Sequence, residues 1–453
     1  MQELVNLSKF LADFHIESGP PELILAAKLR ILDTVGPAIG AGKDSMLRSI
    51  ADQYYQMESG VDGRAGVWGQ KKKTSMRTAA FLNGMFGHIL EMDDVHAGSK
   101  AHVGSVVVPA AWAAAEYLGS TSMELLEAIV CGFETLGRIG SAIGAAGHRT
   151  RGWHVTGTVG TFGAAASVAK LLKLDAEHTL YALGIAGTQA SGLWAFLKDG
   201  ATNKVLHIGR AVTNGIEAAF LSKAGMSGSR YILDAEDGGL FPATSDSYDL
   251  SLVDRDLGKT YEILDIDTKP YPSCRSTHPG IDAAFALINR VDLDPNAIES
   301  IEVGIYLVGY KQTGASPISK NPQRQLDARF SMPYCVACVL LDREFGLEQM
   351  EPEHIVQEKY QKLLQRIHVY PDEKLSAKYP KHWGCAIKVR TFDGKVYEES
   401  VSDPSGSAAN PMTPERIRAK SFDLARRTIG VEAAEAMAES IMHLEKQNRL
   451  PEF

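Results

Sequence analysis

The chain has 453 residues, of which 45% are hydrophobic and 23% are charged, and its formal net charge is −8. These values are ordinary for a globular protein and unlike those of disordered or fibrous chains. The acidic balance argues against a nucleic-acid-binding protein, which would need a basic surface to neutralise phosphates. The length is sufficient for two domains.

The sequence has no feature that would direct the chain to a membrane or to an oxidising compartment. The N-terminus lacks a basic region followed by a hydrophobic stretch, and no apolar run reaches the ~18 residues that a membrane span needs. The five cysteines are scattered and odd in number, which is typical of reduced thiols. We therefore expect a cytoplasmic enzyme without a membrane or nucleic-acid partner.

Apolar residues recur at helical spacing over most of the first 225 residues. The first helix is predicted to begin after Pro20-Pro21 and to end at Gly36. Further helices are predicted over residues 123–143, 160–172, 178–192 and 207–225. Ala and Gly dominate these segments, which indicates helices that pack closely inside a large all-α body.

The pattern changes near Tyr261. Residues 300–310 are β-branched and partly alternating, which predicts a strand, and Asp393-Gly394 between two strand-like runs predicts a hairpin. Helices are predicted over residues 279–290, 331–341, 353–367, 414–427 and 432–444. We predict a mainly α fold, in which residues 1–264 and 403–453 form one large all-α domain and residues 265–402 form a smaller inserted α+β domain.

A group of titratable residues surrounds one predicted helix-to-helix turn. The carboxylates Asp93 and Asp94 lie there with the histidines His88, His96 and His102. Buried titratable groups are costly unless they are used or satisfied, so this turn is a candidate wall of an active site. A metal site is an alternative, although the spacing fits no standard zinc signature.

Another candidate segment places His154 and Thr156 just before a helix, where backbone N–H groups can bind a carboxylate or phosphate. Its glycine spacing matches neither a dinucleotide-binding loop nor a P-loop. In a following Gly/Thr/Asn turn, Lys204 is a candidate carboxylate clamp, whereas a lone lysine is usually on the surface. By itself, His207 favours a packing or capping role.

Two later segments carry further candidates. In a loop stiffened by two prolines, Arg275 and His278 are placed to bind a carboxylate or move a proton. Tyr334 begins a predicted helix, where a core aromatic with a satisfied hydroxyl is the simpler interpretation. Cys335 and Cys338 have the spacing of a redox or zinc half-site, but they lie in an apolar helix without a second pair.

Five of these stretches, taken in chain order, resemble the MmgE/PrpD family, which includes 2-methylcitrate dehydratase, cis-aconitate decarboxylase and iminodisuccinate epimerase. They cover residues 83–116, 152–175, 184–192, 199–225 and 269–284. The resemblance implies an all-α domain built from both chain ends, an α+β lid domain and a homodimer. It also implies a site in the cleft between the domains and no metal or organic cofactor.

The family's pocket positions fall on residues already singled out. The resemblance implies catalytic roles for Asp93, His102, His154, Lys204 and His278. It implies a weaker substrate contact for Tyr334. The residues themselves make Asp94, Thr156 and Arg275 further candidate substrate contacts. No metal ligand is implied.

The acidic stretch departs from the cis-aconitate decarboxylase pattern, Asp-x-Asp-Asp-Thr. Here Glu91 replaces the first Asp and Val95 replaces the Thr, which leaves the roles of Asp93 and Asp94 open. The His154 segment favours the decarboxylase and epimerase branches over the dehydratase.

The expected function is that of a cofactor-free lyase, a decarboxylase or dehydratase, on a small citrate- or aconitate-like polycarboxylic acid. The expected chemistry is proton transfer at a carbon next to a carboxylate. Alternatives are an epimerase of an iminodisuccinate-like dicarboxylate, a metal-dependent hydrolase, and a catalytically silent carboxylate-binding protein.

Overall fold

A computed structural model of the chain describes residues 2–61 and 63–453. The fold is mainly α, as the sequence predicts. It forms two compact units, of which the first comprises the residues up to Thr268 together with Thr413–Phe453, and the second comprises Lys269–Met412. Among the described residues, no helix combines the length and the apolar character that crossing a bilayer requires.

The first unit contains most of the helices and only two-residue strands. Its helices before residue 268 are α1 (Gln2–Asp13), α2 (Glu22–Gly40), α3 (Ser45–Met57), α4 (Met76–Ile89), α5 (Gly104–Leu118), α6 (Ser122–Ala142), α7 (Ala145–Thr150), α8 (Val155–Leu171), α9 (Ala176–Thr188), α10 (Lys204–Lys223) and α11 (Leu240–Thr244). Its strands form two antiparallel pairs, β1 (Ala65–Gly66) with β2 (Lys73–Thr74), and β3 (Val95–His96) with β4 (Ile266–Asp267).

Helix α8 lies at the centre of the first unit. All of its residues except Lys170 are buried, so it packs against neighbours on every side. Small residues permit this packing: a Cβ atom on Gly132 of α6 would lie 3.0 Å from the carbonyl oxygen of Gly163. The unit therefore holds the N-terminal end of α8 rigidly among α5, α6 and α10.

The second unit combines helices with one four-stranded sheet. Its helices are α12 (His278–Arg290), α13 (Leu307–Thr313), α14 (Pro317–Lys320), α15 (Gln325–Arg329), α16 (Met332–Asp342), α17 (Pro352–Ile355), α18 (Glu358–Leu364) and α19 (Glu373–Lys378). The strands β5 (Ile298–Ile305), β6 (Ile367–Pro371), β7 (Cys385–Thr391) and β8 (Val396–Val401) lie in the order β6-β5-β7-β8. Only the pair of β5 and β6 is parallel.

The chain returns to the first unit with α20 (Pro414–Ile429) and α21 (Val431–Met442). Helix α20 packs closely on α2, because Gly36 has no side chain and Ser421 fills the space beside it. The Ser421 hydroxyl donates to the carbonyl of Leu32 at 2.8 Å. This contact anchors the C-terminal segment to the N-terminal one.

Most of the predicted helices and the hairpin are confirmed, with ends that differ by a few residues. Two predictions in the second unit are wrong in part. The strand predicted over residues 300–310 ends at Ile305 and is followed by α13. The helix predicted over residues 353–367 is two short helices, and the strand β6 begins at Ile367.

Candidate active site

The segment between α4 and α5 carries the titratable residues. At its start, Glu91 has a φ of 54°, a left-handed conformation that is uncommon for a residue with a side chain. The chain therefore turns sharply after α4, and the side chains of Glu91 and Asp93 are both buried. Such backbone strain is common at functional sites.

Asp93 is the centre of a buried hydrogen-bond cluster. Its Oδ2 atom lies 2.7 Å from Nδ1 of His88, 2.7 Å from the Ser105 hydroxyl oxygen and 3.2 Å from Nδ1 of His102. Burial alone would raise the pKa of Asp93, but His102 and His88 hold it well below its ordinary value. Asp93 is therefore a fixed negative charge between two imidazole rings.

The surroundings of His102 fix its tautomer. Its Nδ1 atom lies 2.9 Å from the carbonyl oxygen of Asp94 as well as near the Asp93 carboxylate. Both neighbours only accept hydrogen bonds, so Nδ1 carries the proton and Nε2 of the neutral ring holds the lone pair. Nε2 has no hydrogen-bond partner among the described residues, which leaves it available for proton transfer.

Lys204, the first residue of α10, forms an ion pair with Glu91. Both side chains are almost fully buried. Glu91 also lies near His88, whose Nε2 atom is 3.7 Å from Oε1 of Glu91. The lysine predicted as a carboxylate clamp thus lies inside the cluster with an acidic partner.

A second histidine pair lies beside Lys204. Nδ1 of His154 is 3.0 Å from Nδ1 of His207, and the indole ring of Trp194 packs edge-on against His154 with ring centroids 4.8 Å apart. Burial and then Lys204 lower the pKa of His207 to about 4. Burial, Lys204 and His207 hold the pKa of His154 well below its ordinary value. Both rings are therefore neutral near pH 7.

Three helix N-termini meet around these side chains. Helix α5 begins two residues after His102, His154 caps α8, and Lys204 begins α10. The ends are in contact, since the backbone N–H of His102 donates to the Thr156 hydroxyl at 3.1 Å. Helix N-termini carry partial positive charge, so their meeting point favours an anionic ligand.

The structure brings together five of the nine residues predicted for the site. They are Asp93, His102, His154, Thr156 and Lys204, all in the first unit. The sequence analysis named three further members of the cluster, His88, Glu91 and His207, but did not predict them as site residues. A spacing signal existed for His207, because it lies three residues after Lys204 on α10.

His96 lies outside this cluster. Its Nε2 atom is 2.9 Å from Oε2 of Glu262, and its Nδ1 atom accepts from the backbone N–H of Ser99 at 3.0 Å. These contacts connect the turn to the segment before β4. A structural role for His96 follows.

The side chain of Asp94 points into a different polar network. Its Oδ1 atom accepts from the backbone N–H of Gly104 at 2.8 Å. Burial, opposed by Arg30 and reinforced by Asp33, raises the pKa of Asp94 to about 7. Next to it, Lys420 of α20 lies 2.6 Å from Asp33 and donates to the Met92 carbonyl at 2.7 Å.

This network supports the back of the turn. Lys420 binds the backbone carbonyl of Met92, and the Asp94 carboxylate binds the backbone N–H of Gly104 at the start of α5. A substrate contact of Asp94 through its carboxylate stays a prediction, whereas its carbonyl orients His102 directly.

Replacing Asp94 with Asn is expected to change the pH dependence of stability. Between about pH 3.9, the pKa of an unfolded Asp, and about 7, the folded protein holds a proton that the unfolded chain releases. The contribution of Asp94 to the free energy of unfolding therefore falls as the pH rises through this window. The free energy of unfolding of Asp94→Asn, relative to that of the wild type, should therefore increase by about 1.4 kcal/mol per pH unit.

Urea unfolding of both proteins at several pH values in that window measures the difference. The matched control is Asp237→Asn, which changes an exposed carboxylate. Parallel curves for Asp94→Asn and the wild type would contradict the prediction.

The remaining predicted residues lie in the second unit. Arg275 donates from Nη1 to Nδ1 of His278 at 3.1 Å and to the carbonyl of Ser405 at 2.9 Å. His278 donates from Nε2 to the carbonyl of Ser273 at 3.3 Å. Both side chains are buried and brace the backbone of their own unit. Their roles at a substrate stay predictions.

Tyr334 is fully buried in α16, and its hydroxyl donates to the carbonyl of Gln349 at 2.6 Å. This environment is that of a core aromatic residue whose hydroxyl has a hydrogen-bond partner, which is the simpler of the two interpretations of Tyr334 from the sequence. Cys335 and Cys338 are buried in the same helix, and all five cysteines are free thiols. The thiol pair therefore belongs to the core of the second unit.

His88, Asp93 and His102 are grouped closely enough to be considered as metal ligands. The ring nitrogens that face Asp93 are 2.7 and 3.2 Å from its Oδ2 atom. Ligand atoms around a tetrahedral ion are roughly 3.4 Å apart. The separations between these Nδ1 atoms and Oδ2 are those of direct hydrogen bonds.

The sequence of this chain matches the models of one protein family and is similar to several named proteins. The model of the MmgE/PrpD N-terminal domain matches residues 5–252, and that of the MmgE/PrpD C-terminal domain matches residues 271–446. A cis-aconitate decarboxylase-like protein of Aspergillus oryzae is 30% identical, over 97% of this chain and 94% of its own length. The cis-aconitate decarboxylase of Homo sapiens is 29% identical, over 93% and 88%. That of Aspergillus terreus is 27% identical, over 90% and 86%.

Proposed function

We propose that this chain, which belongs to the MmgE/PrpD family, is a lyase that needs no cofactor and acts on a small citrate- or aconitate-like polycarboxylic acid. The observation that carries the proposal is the His102–Asp93 pair, whose free Nε2 atom belongs to the same cluster as Lys204 and His154. The relatives named as cis-aconitate decarboxylases favour decarboxylation within this class.

The cluster supplies the two properties that the reaction requires. An anionic substrate needs positive potential, which Lys204 and the N-termini of α5, α8 and α10 provide. Proton transfer to carbon needs an acid–base group near neutral pH, which is the ordinary range of histidine. Asp93 stays ionised beside His102 and holds its ring in one orientation.

The proposed reaction proceeds in two steps. First, the bond between carbon and the departing carboxylate breaks, carbon dioxide leaves, and the electron pair spreads over the adjoining double bond and carboxylate. Then the imidazolium of His102 gives its Nε2 proton to carbon and becomes neutral. The ring regains a proton from solvent, so each turnover consumes one proton and releases one carbon dioxide.

The test is turnover of a panel of di- and tricarboxylic acids in deuterated buffer, followed by NMR of substrate and product. The proposal predicts a product that has lost carbon dioxide, or water, and a product of decarboxylation carries one deuterium on carbon. Deuterium in recovered substrate without loss of mass would replace the lyase with an epimerase. Thermal stabilisation by one acid without turnover would indicate a binding protein. Activity that chelator treatment abolishes and added zinc restores would indicate a metalloenzyme.

A further inference from the structure

The contact between His154 and His207 can place its proton on either ring. The position of that proton decides whether Nε2 of His154 is a hydrogen-bond donor or an acceptor. The two Nδ1 atoms are 3.0 Å apart, which is a hydrogen-bond distance. Two lone pairs would repel at that distance and two N–H groups would clash. A pair of neutral rings therefore has one proton between the two Nδ1 atoms.

The positions of the two rings are well determined. His154 is the residue before α8, and its backbone N–H donates to the carbonyl of Gly192 at 3.0 Å. His207 lies in the first turn of α10 against the backbone of Gly192, where a Cβ atom would be 3.3 Å from its Nδ1. The indole ring of Trp194 also packs edge-on against the His154 ring. These contacts restrict the orientation of both rings.

The rings are neutral for reasons that the geometry makes plain. Both are buried beside the Lys204 ammonium and stand at positive helix ends. Each of these factors opposes a second proton on imidazole. The lowered pKa values of His154 and His207 agree with this view.

We propose that His207 is a positioning residue that donates from Nδ1 to Nδ1 of His154 and so keeps the proton of His154 on Nε2. The argument rests on the proposed function, because an anionic acid is bound by an N–H group and repelled by a lone pair. His102 already supplies the proton-transfer group of the cluster. With His207 as donor, the site has one proton-transfer residue and one neutral hydrogen-bond donor, as proton-transfer chemistry next to a carboxylate requires.

The inference makes His154 a neutral donor to the charge that develops on a substrate carboxylate. A neutral imidazole can polarise an oxygen in this way, and the histidine of triosephosphate isomerase is an established precedent. His207 does not touch the substrate in this scheme. It acts through the tautomer of His154.

The first test reads the tautomer directly. NMR of protein labelled with ¹⁵N-histidine separates protonated from unprotonated ring nitrogens, and a His154→Gln variant identifies the signals of His154. The expected result for the ligand-free wild type is a proton on Nε2 of His154 and on Nδ1 of His207. The opposite pattern, or a charged His154 near pH 7, would overturn the proposal.

The second test uses the matched variants His207→Asn and His207→Asp, whose side-chain atoms reach the position of Nδ1. Asn can donate to His154, so it should keep the Nε2 proton and hold kcat within a few-fold of the wild type. Asp can only accept, so it should move the proton to Nδ1 and lower kcat at least tenfold with little change in KM. Equal effects of the two variants would overturn the proposal.

The NMR measurement and the kinetic measurement distinguish a failure of the proposed function from a failure of this inference. If no acid is turned over, the proposed function fails, while the NMR signals still decide the tautomer. Thermal unfolding of each variant identifies a folding defect, and in that case the wild-type spectrum alone decides.

Discussion

His102→Ala is expected to lower kcat/KM for the acid substrate by roughly 10²- to 10⁴-fold, the range that a positioned general acid or base contributes. The reason is specific to this ring. Its Nδ1 atom is held by the Asp93 carboxylate and the Asp94 carbonyl, so its Nε2 atom is oriented for proton transfer. Steady-state kinetics with the acid identified in the panel measures the loss.

The matched control is His178→Ala. His178 also pairs through Nδ1 with an aspartate, Asp175, at 2.8 Å, but it lies partly exposed at the start of α9. This variant should retain full activity. Added imidazole should restore part of the activity of His102→Ala, because it can occupy the vacated space. Equal activity of the two variants would exclude His102 as the proton-transfer residue.

The helical part of the fold could be predicted because its signals are local. Helix α6 follows a capping box at Thr121 and Glu124, and its apolar residues recur over five turns. Strand β6 gave no such signal. It pairs in parallel with β5, more than sixty residues earlier in the chain, and such pairing depends on distant partners. The short helix α13 likewise continues an apolar run that alone resembles a strand.

Five residues of the cluster could be named from the sequence, but their roles could not be assigned individually. Asp93 and Asp94 are adjacent, and no pattern says which one faces a histidine. In the fold, Asp93 contacts two imidazole rings, whereas the Asp94 carboxylate binds the start of α5 and lies near Arg30 and Asp33. The division depends on packing from α2 and α20, which is not visible in the turn itself.

The same limitation applies to Glu91. In the sequence it is only a departure from an Asp in the family pattern, yet in the fold it is the ion-pair partner of Lys204. A lone lysine near a turn is usually solvated. Its burial follows from the way in which α10 packs against α4 and α8, which makes the acidic partner necessary.

Lys204→Met is expected to lower the free energy of unfolding by about 3–5 kcal/mol, because it leaves the buried Glu91 carboxylate without that cation. Adding Glu91→Gln should return most of this loss, since the charge and its neutralising partner are then both gone. Urea unfolding of the wild type, Lys204→Met, Glu91→Gln and the double variant gives the four free energies of a double-mutant cycle. The matched control is Lys173→Met, which breaks the exposed pair with Glu124 and should leave the free energy of unfolding almost unchanged.

The double variant also separates the structural role of Lys204 from its role at a substrate. If Lys204 binds a substrate carboxylate, the double variant should be nearly as stable as the wild type and still have a strongly raised KM. If the lysine serves only to neutralise Glu91, stability and activity should recover together. Recovery of both would remove Lys204 from the substrate site and leave the helix N-termini as the source of positive potential. The ion pair is buried in the cluster, so a substrate anion that binds Lys204 competes with Glu91, and Glu91→Gln alone should lower KM.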